Sequence, residues 1–79
     1  MSELQRIRHE NLLALCAVLE NDKVIGTAAQ ANVLGVAENV LRAWLHGQLI
    51  SDGLARELEW AAQRPSGWID EDHWGQPDA

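Results

Sequence analysis

The sequence predicts an all-α fold, a compact arrangement of four to five short helices, and three observations carry that expectation. Apolar residues make up 47% of the chain and are mostly Leu and Ala, with no Phe, no Tyr and only two Pro, a composition that favours helix over pleated sheet. They recur at intervals of three and four, as one buried helix face requires. Gly, Ser, Thr and Asp fall between those stretches, where helices stop and start. Seventy-nine residues suffice for one domain with one modest core and leave no room for a second.

The first helix is expected to start after an N-cap at Ser2 and to run to about Leu19, with Leu4, Ile7, Asn11, Leu12, Leu15 and Leu19 on its core face. Cys16 stands among Leu12, Leu13, Leu15 and Leu19, and a single cysteine forms no internal disulfide, so its sulfur reads as core filling. Glu20 to Lys23 make a polar break. Val24 and Ile25 then return to the interior, and Gly26 with Thr27 supplies a stop and a new cap. A short helix over residues 27–34 follows. Gly35 stands where the chain must turn sharply, a place for a residue that tolerates positive φ.

A third helix covers about residues 37–46. In the connection after it, Ile50 is expected to plug the core, and Ser51 with Asp52 opens a fourth helix with a good cap and a favourable first-turn charge. Leu54, Ala55, Leu58, Ala61 and Ala62 form its apolar stripe. Pro65, Ser66 and Gly67 end that pattern, after which Trp68 and Ile69 fold back on the core and Asp70 caps a last turn. The domain is expected to occupy residues 1–74, with 75–79 a disordered acidic tail end.

The formal net charge is −6, but Asp70, Glu71, Asp72 and Asp78 hold four of the twelve acidic groups, leaving eight against six basic residues before Pro65. Most of the acidity therefore belongs to the C-terminal end. A generic polyanion binder shows a basic stripe, whereas Arg6, Arg8, Lys23, Arg42, Arg56 and Arg64 make a small patch at most, so weak non-specific DNA affinity is expected. The charged start has no apolar run of signal-peptide or membrane-span length, which predicts a cytoplasmic protein. His9, His46 and His73 are scattered, and no structural metal is expected. Nor does the chain contain a Ser-His-Asp arrangement, a glycine-rich phosphate loop or a paired carboxylate in an apolar setting, so no enzyme activity and no cofactor are expected.

The most informative stretch is TAAQANVLGVAENVLRAWLHG, residues 27–47. Its spacing suits two short helices packed across a tight glycine turn: Ala31 at the closest approach, Gly35 in the turn, Leu41 and Trp44 on the inner face. Further pieces follow the same order as in a known group. They are Arg8 with Asn11-Leu12, then Ala31, Leu34-Gly35-Val36, Leu41, Trp44-Leu45 and Gly47, then Ile50-Ser51, Leu54-Ala55-Arg56 and Glu59, and finally Pro65 with Gly67-Trp68-Ile69-Asp70. In that layout the chain resembles the Cro/cI-like (XRE-type) phage repressors, helix-turn-helix proteins, over nearly its whole ordered length.

The resemblance implies a repressor-like helix-turn-helix domain that regulates transcription by binding a double-stranded DNA operator as a homodimer, with its third helix in the major groove. Carried onto this sequence, the base-contacting positions are Glu38, Asn39, Arg42 and His46. Asn39 suits the N6 and N7 edge of adenine, Arg42 suits O6 and N7 of guanine, and Glu38 accepts from cytosine N4 or holds Arg42 one turn away. Thr27, Gln30 and Gln48 are placed for the DNA backbone, where contacts position without specifying. Ala37 stands where Ser or Thr usually caps the recognition helix and Glu38 where Gln or Lys is common; a Lys/Arg-rich loop after the third helix is missing. Trp60, Trp68 and Trp74 are the candidates for a dimer or partner interface, where Trp is favoured. An alternative class also fits: a helix-turn-helix scaffold acting as a protein-binding module, an antirepressor or an inhibitor of a regulator or polymerase. The acidic residues suit a basic protein surface.

Overall fold

Ser2 is extended, at φ −70° and ψ 161°, and its hydroxyl accepts the Gln5 N–H at 3.1 Å. The first helix, α1, therefore begins where a side-chain oxygen satisfies one of its free amides and spans Glu3–Asn21. The computed structural model describes residues 2–73. After α1 come α2 (Thr27–Leu34), α3 (Glu38–Leu45), α4 (Asp52–Ala61) and a 3₁₀ turn (Trp68–Asp70), with no strand among the described residues. Trp74 and the tail expected to be disordered lie outside them. Ser51 repeats the device of Ser2, its hydroxyl accepting the Leu54 N–H at the start of α4. No helix among the described residues is long and apolar enough to cross a membrane.

One core joins all five elements. Leu12, Leu34, Leu41, Ile50, Leu58 and Ile69 are each at most 2% exposed, with Ala31, Trp44 and Ala55 beside them. Each fully buried Leu or Ile contributes about 1.5 to 3 kcal/mol, so the connection residue Ile50 stabilises as much as a helical one. Cys16 is buried, which together with the charge of Glu20 pushes its thiol up, the setting of an unreactive core residue.

Two apolar residues expected inside lie outside. Leu4 is 40% exposed, while its neighbour Gln5 faces the connection after α3 and exchanges hydrogen bonds with the Ile50 N–H and carbonyl at 2.8 and 2.9 Å. Ile25 is 65% exposed because Lys23 and Gly26, at φ 70° and 95°, swing the loop away from the core. Val24 stays half-buried, its carbonyl held by the Gln30 side chain.

Polar groups fasten the chain's end. Arg8 is buried, and its guanidinium donates at 2.7 Å to Asp70 Oδ1, to Asp52 Oδ1 and to the Ile50 carbonyl. Asp70 was expected to cap the last turn; it instead closes the 3₁₀ turn and gives its carboxylate to Arg8 and to Arg56, 2.7 Å away. Asn11 Nδ2 donates to the carbonyls of Ile69 and Glu71. Glu59 is buried: it takes the Ile69 N–H at 2.9 Å, and Arg56 Nε lies 2.9 Å from its other oxygen. The 3₁₀ turn is thus tied to α1 and α4 by charge-assisted bonds, the stronger kind.

Candidate nucleic-acid interface

The α2–α3 pair is built around a backbone requirement. Gly35 has φ 74° and ψ 25°, the left-handed region that costs a residue with Cβ about 1 to 2 kcal/mol. The Val36 N–H returns to the Ala31 carbonyl at 3.1 Å, the six-to-one bond that closes a helix in this conformation. A Cβ on Gly35 would meet only Ala61 Cβ, at 4.0 Å, so conformation and not space demands glycine. The turn delivers the chain into α3 with Ala37 as its N-cap, extended at φ −68° and ψ 148°, and no side chain takes the first amides.

Helix α3 divides sharply. Leu41 and Trp44 are 0% and 2% exposed and seat the helix on the core. Glu38, Asn39, Arg42 and His46 are all exposed, with 38, 42 and 46 stacked at successive turns and Asn39 beside the first. Glu38, Asn39 and Arg42 thus share one outward face of α3, with His46 following at its C-cap. Arg42 Nη2 donates to Glu38 Oε2 at 2.7 Å, with both side chains substantially exposed. Such an i, i+4 pair holds only about 0.3 to 0.5 kcal/mol, so a base edge competes with it readily.

The flanking candidates separate. Thr27 is the half-buried first residue of α2, and the cap expected of it falls instead to Gly26, whose positive φ makes the entry without a side-chain bond. Gln30 is buried, its Nε2 donating to the Val24 carbonyl at 3.2 Å, so this amide is spent inside the fold rather than offered outward. Gln48 is exposed on the connection after α3, and its carbonyl lies 2.7 Å from His9 Nε2. Trp60 projects from α4 at 84% exposure, whereas Trp68 is half-buried, with the Arg64 guanidinium 4.9 Å from its ring centre and the His73 ring stacked at 4.7 Å.

Charge on this side is sparse. Arg6 sits against Glu3 and Glu10, Arg8 against Asp52 and Asp70, Arg42 against Glu38, and Arg56 against Glu59 and Asp70. Between Glu20 and Gln48 the cations are Lys23 and Arg42, with Glu20, Asp22 and Glu38 opposing them. Among the described residues no group of three His, Cys, Asp or Glu side chains is arranged to hold a metal ion.

Three residues behind the site, Gln5, Arg8 and His9, hold the connection after α3 and carried no functional expectation. Arg8 falls at the spacing of Leu12 and Leu15, so its burial is legible in the periodicity of α1; the partners of Gln5 and His9, more than thirty residues away, are not. No protein-family model, curated protein or solved structure matches the chain. The class is therefore defined by the site alone: two short helices across a left-handed glycine turn, the second offering a polar outer face.

Proposed function

We propose that this chain is a sequence-specific DNA-binding transcriptional regulator of the Cro/cI-like phage repressor type, a cytoplasmic, non-catalytic homodimer that reads an operator with α3. The observation that carries this reading is the outer face of α3, where Glu38, Asn39 and Arg42, with His46 at the C-cap, stand exposed on a helix that Leu41 and Trp44 seat in the core. A major groove admits a helix presented in this way, and its N-terminal residues meet the base edges. Asn39 and Arg42 are the bidentate donors, each worth about 1 to 3 kcal/mol of base discrimination. Dimerisation follows from the mechanism, because a single short helix with few phosphate contacts binds weakly and two linked half-sites multiply the affinity. Trp60 is the described residue best suited to that contact.

A second reading, the protein-binding module, is favoured by the charge. Four of the six basic side chains named above already face carboxylates, and the α2–α3 side presents no basic stripe. Selection from a random duplex library at roughly 50 mM salt, where phosphate contacts are strongest, separates the two. Enrichment of a palindromic sequence by the intact protein, degraded at defined positions by Arg42→Ala and Asn39→Ala, is the expected result. Absence of any enriched sequence overturns the DNA reading in favour of a protein partner.

A further inference from the structure

We infer that His9 is a proton-dependent clasp that ties α1 to the connection following α3, closed with both hydrogen bonds only when its ring is an imidazolium. The inference concerns the scaffold behind α3 and does not rest on what that helix binds. His9 Nδ1 lies 2.6 Å from the Gln5 carbonyl oxygen, and Nε2 lies 2.7 Å from the Gln48 carbonyl oxygen. Both partners are acceptors without a proton. A neutral imidazole carries one N–H and one bare nitrogen, whereas the imidazolium carries two N–H donors. In the neutral ring, one nitrogen lone pair therefore points at an oxygen lone pair at hydrogen-bond distance. Only the protonated ring satisfies both contacts at once.

The position gives the proton a structural consequence. Gln5 and Arg8, on the same stretch of α1, hold Ile50 through its N–H and carbonyl, and neither changes charge near neutrality. His9 adds the hold on Gln48, whose own N–H returns to the Ala43 carbonyl of α3. It is thus the titratable member of the grip that α1 keeps on the connection after α3. The ionisable groups around it are otherwise accounted for. His46 lines the same cavity of about 300 Å³ from the end of α3, Glu10 faces Arg6, and Arg8 faces Asp52 and Asp70. The connection residues Gly47 to Ile50 carry no charge.

Loss of a proton from His9 breaks one of the two contacts, and the Nδ1 contact within α1 is the closer to its own backbone. The inter-element bond to Gln48 is therefore the one released. The clasp therefore loosens when the ring loses its proton.

The deciding experiment is nitrogen-15 NMR of the full chain at pH 5.5 and pH 8, reading the His9 ring nitrogens and backbone amide exchange at Gly47 and Gln48 after correction for intrinsic rates. The expected result at pH 5.5 is two protonated ring nitrogens in slow exchange, with protection of these amides about tenfold higher than at pH 8, the worth of one charge-assisted hydrogen bond. His9→Gln should abolish that difference and His46→Gln should preserve it. A neutral single tautomer at pH 5.5, or amide protection that ignores pH in the wild-type protein, overturns the inference without recourse to any variant. Persistence of the pH response in His9→Gln overturns it equally.

Discussion

Asp70 shows how much one carboxylate can carry in a small domain. Its hydrogen bond to Arg8 holds its carboxyl below the usual aspartate range, partial burial opposes, and the bond to Arg56 adds to the lowering. Since the folded-state value lies below the unfolded one, this stabilisation is present above the ordinary aspartate value near 3.9. It is lost as pH falls through the folded value. The share of stability that Asp70 supplies should thus stay level from pH 7 to pH 5 and fall below about pH 4. Asp70→Asn should cost about 1.5 to 3 kcal/mol at neutral pH and flatten the acid limb, which urea unfolding at several pH values reads directly. None of this is legible at Asp70 in the sequence, where it reads as one of an acidic group; its guanidinium partner stands 62 positions away. Glu59 differs, since it falls one turn after Ala55 and beside Leu58 on α4, and its burial follows that register.

At the scale of the element, the α2–α3 pair is where local chemistry decides most. Gly35→Ala places a Cβ in left-handed backbone with room around it, so the cost should be conformational, about 1 to 2 kcal/mol. For a domain of this size each kcal/mol corresponds to roughly 4 to 8 °C in the thermal midpoint, well within reach of a melting experiment. Ala37→Ser should act in the opposite sense. Ala37 already has the extended conformation of an N-cap, so a hydroxyl there takes an amide now without one, and a gain of about 0.5 to 1 kcal/mol is expected. The bounds of α2 match the expected 27–34, and α3 differs from its expectation by one residue at each end. Glycine and the buried spacing of Leu41 and Trp44 carry that information within a few residues. The loop before α2 was less legible, because Ile25 looks like core by type and only the backbone of Lys23 and Gly26 turns it outward.

Over the whole molecule, electrostatics set the character of any binding. Salt bridges hold Arg6, Arg8 and Arg56 within the fold, leaving Lys23 and Arg42, the latter in an exposed pair with Glu38, as the cations near the α2–α3 face. Each phosphate neutralised contributes about −0.9 to the slope of log affinity against log salt. On the proposed DNA-binding reading, a dimer offering these two residues per copy should bind its operator with a slope no steeper than about −4, measurable by fluorescence anisotropy over a salt series. A steeper slope would show that cations now paired inside the fold are released on binding. The all-α class, the helix order and the outward face of α3 follow from composition, capping residues and helical periodicity, which act over a few residues and are written locally. The three-way grip of Arg8 on Ile50, Asp52 and Asp70, the inward turn of Gln30 and the two acceptors facing His9 arise only when distant segments meet. Such contacts depend on which surfaces the packed core brings together, and no short stretch of sequence holds that information.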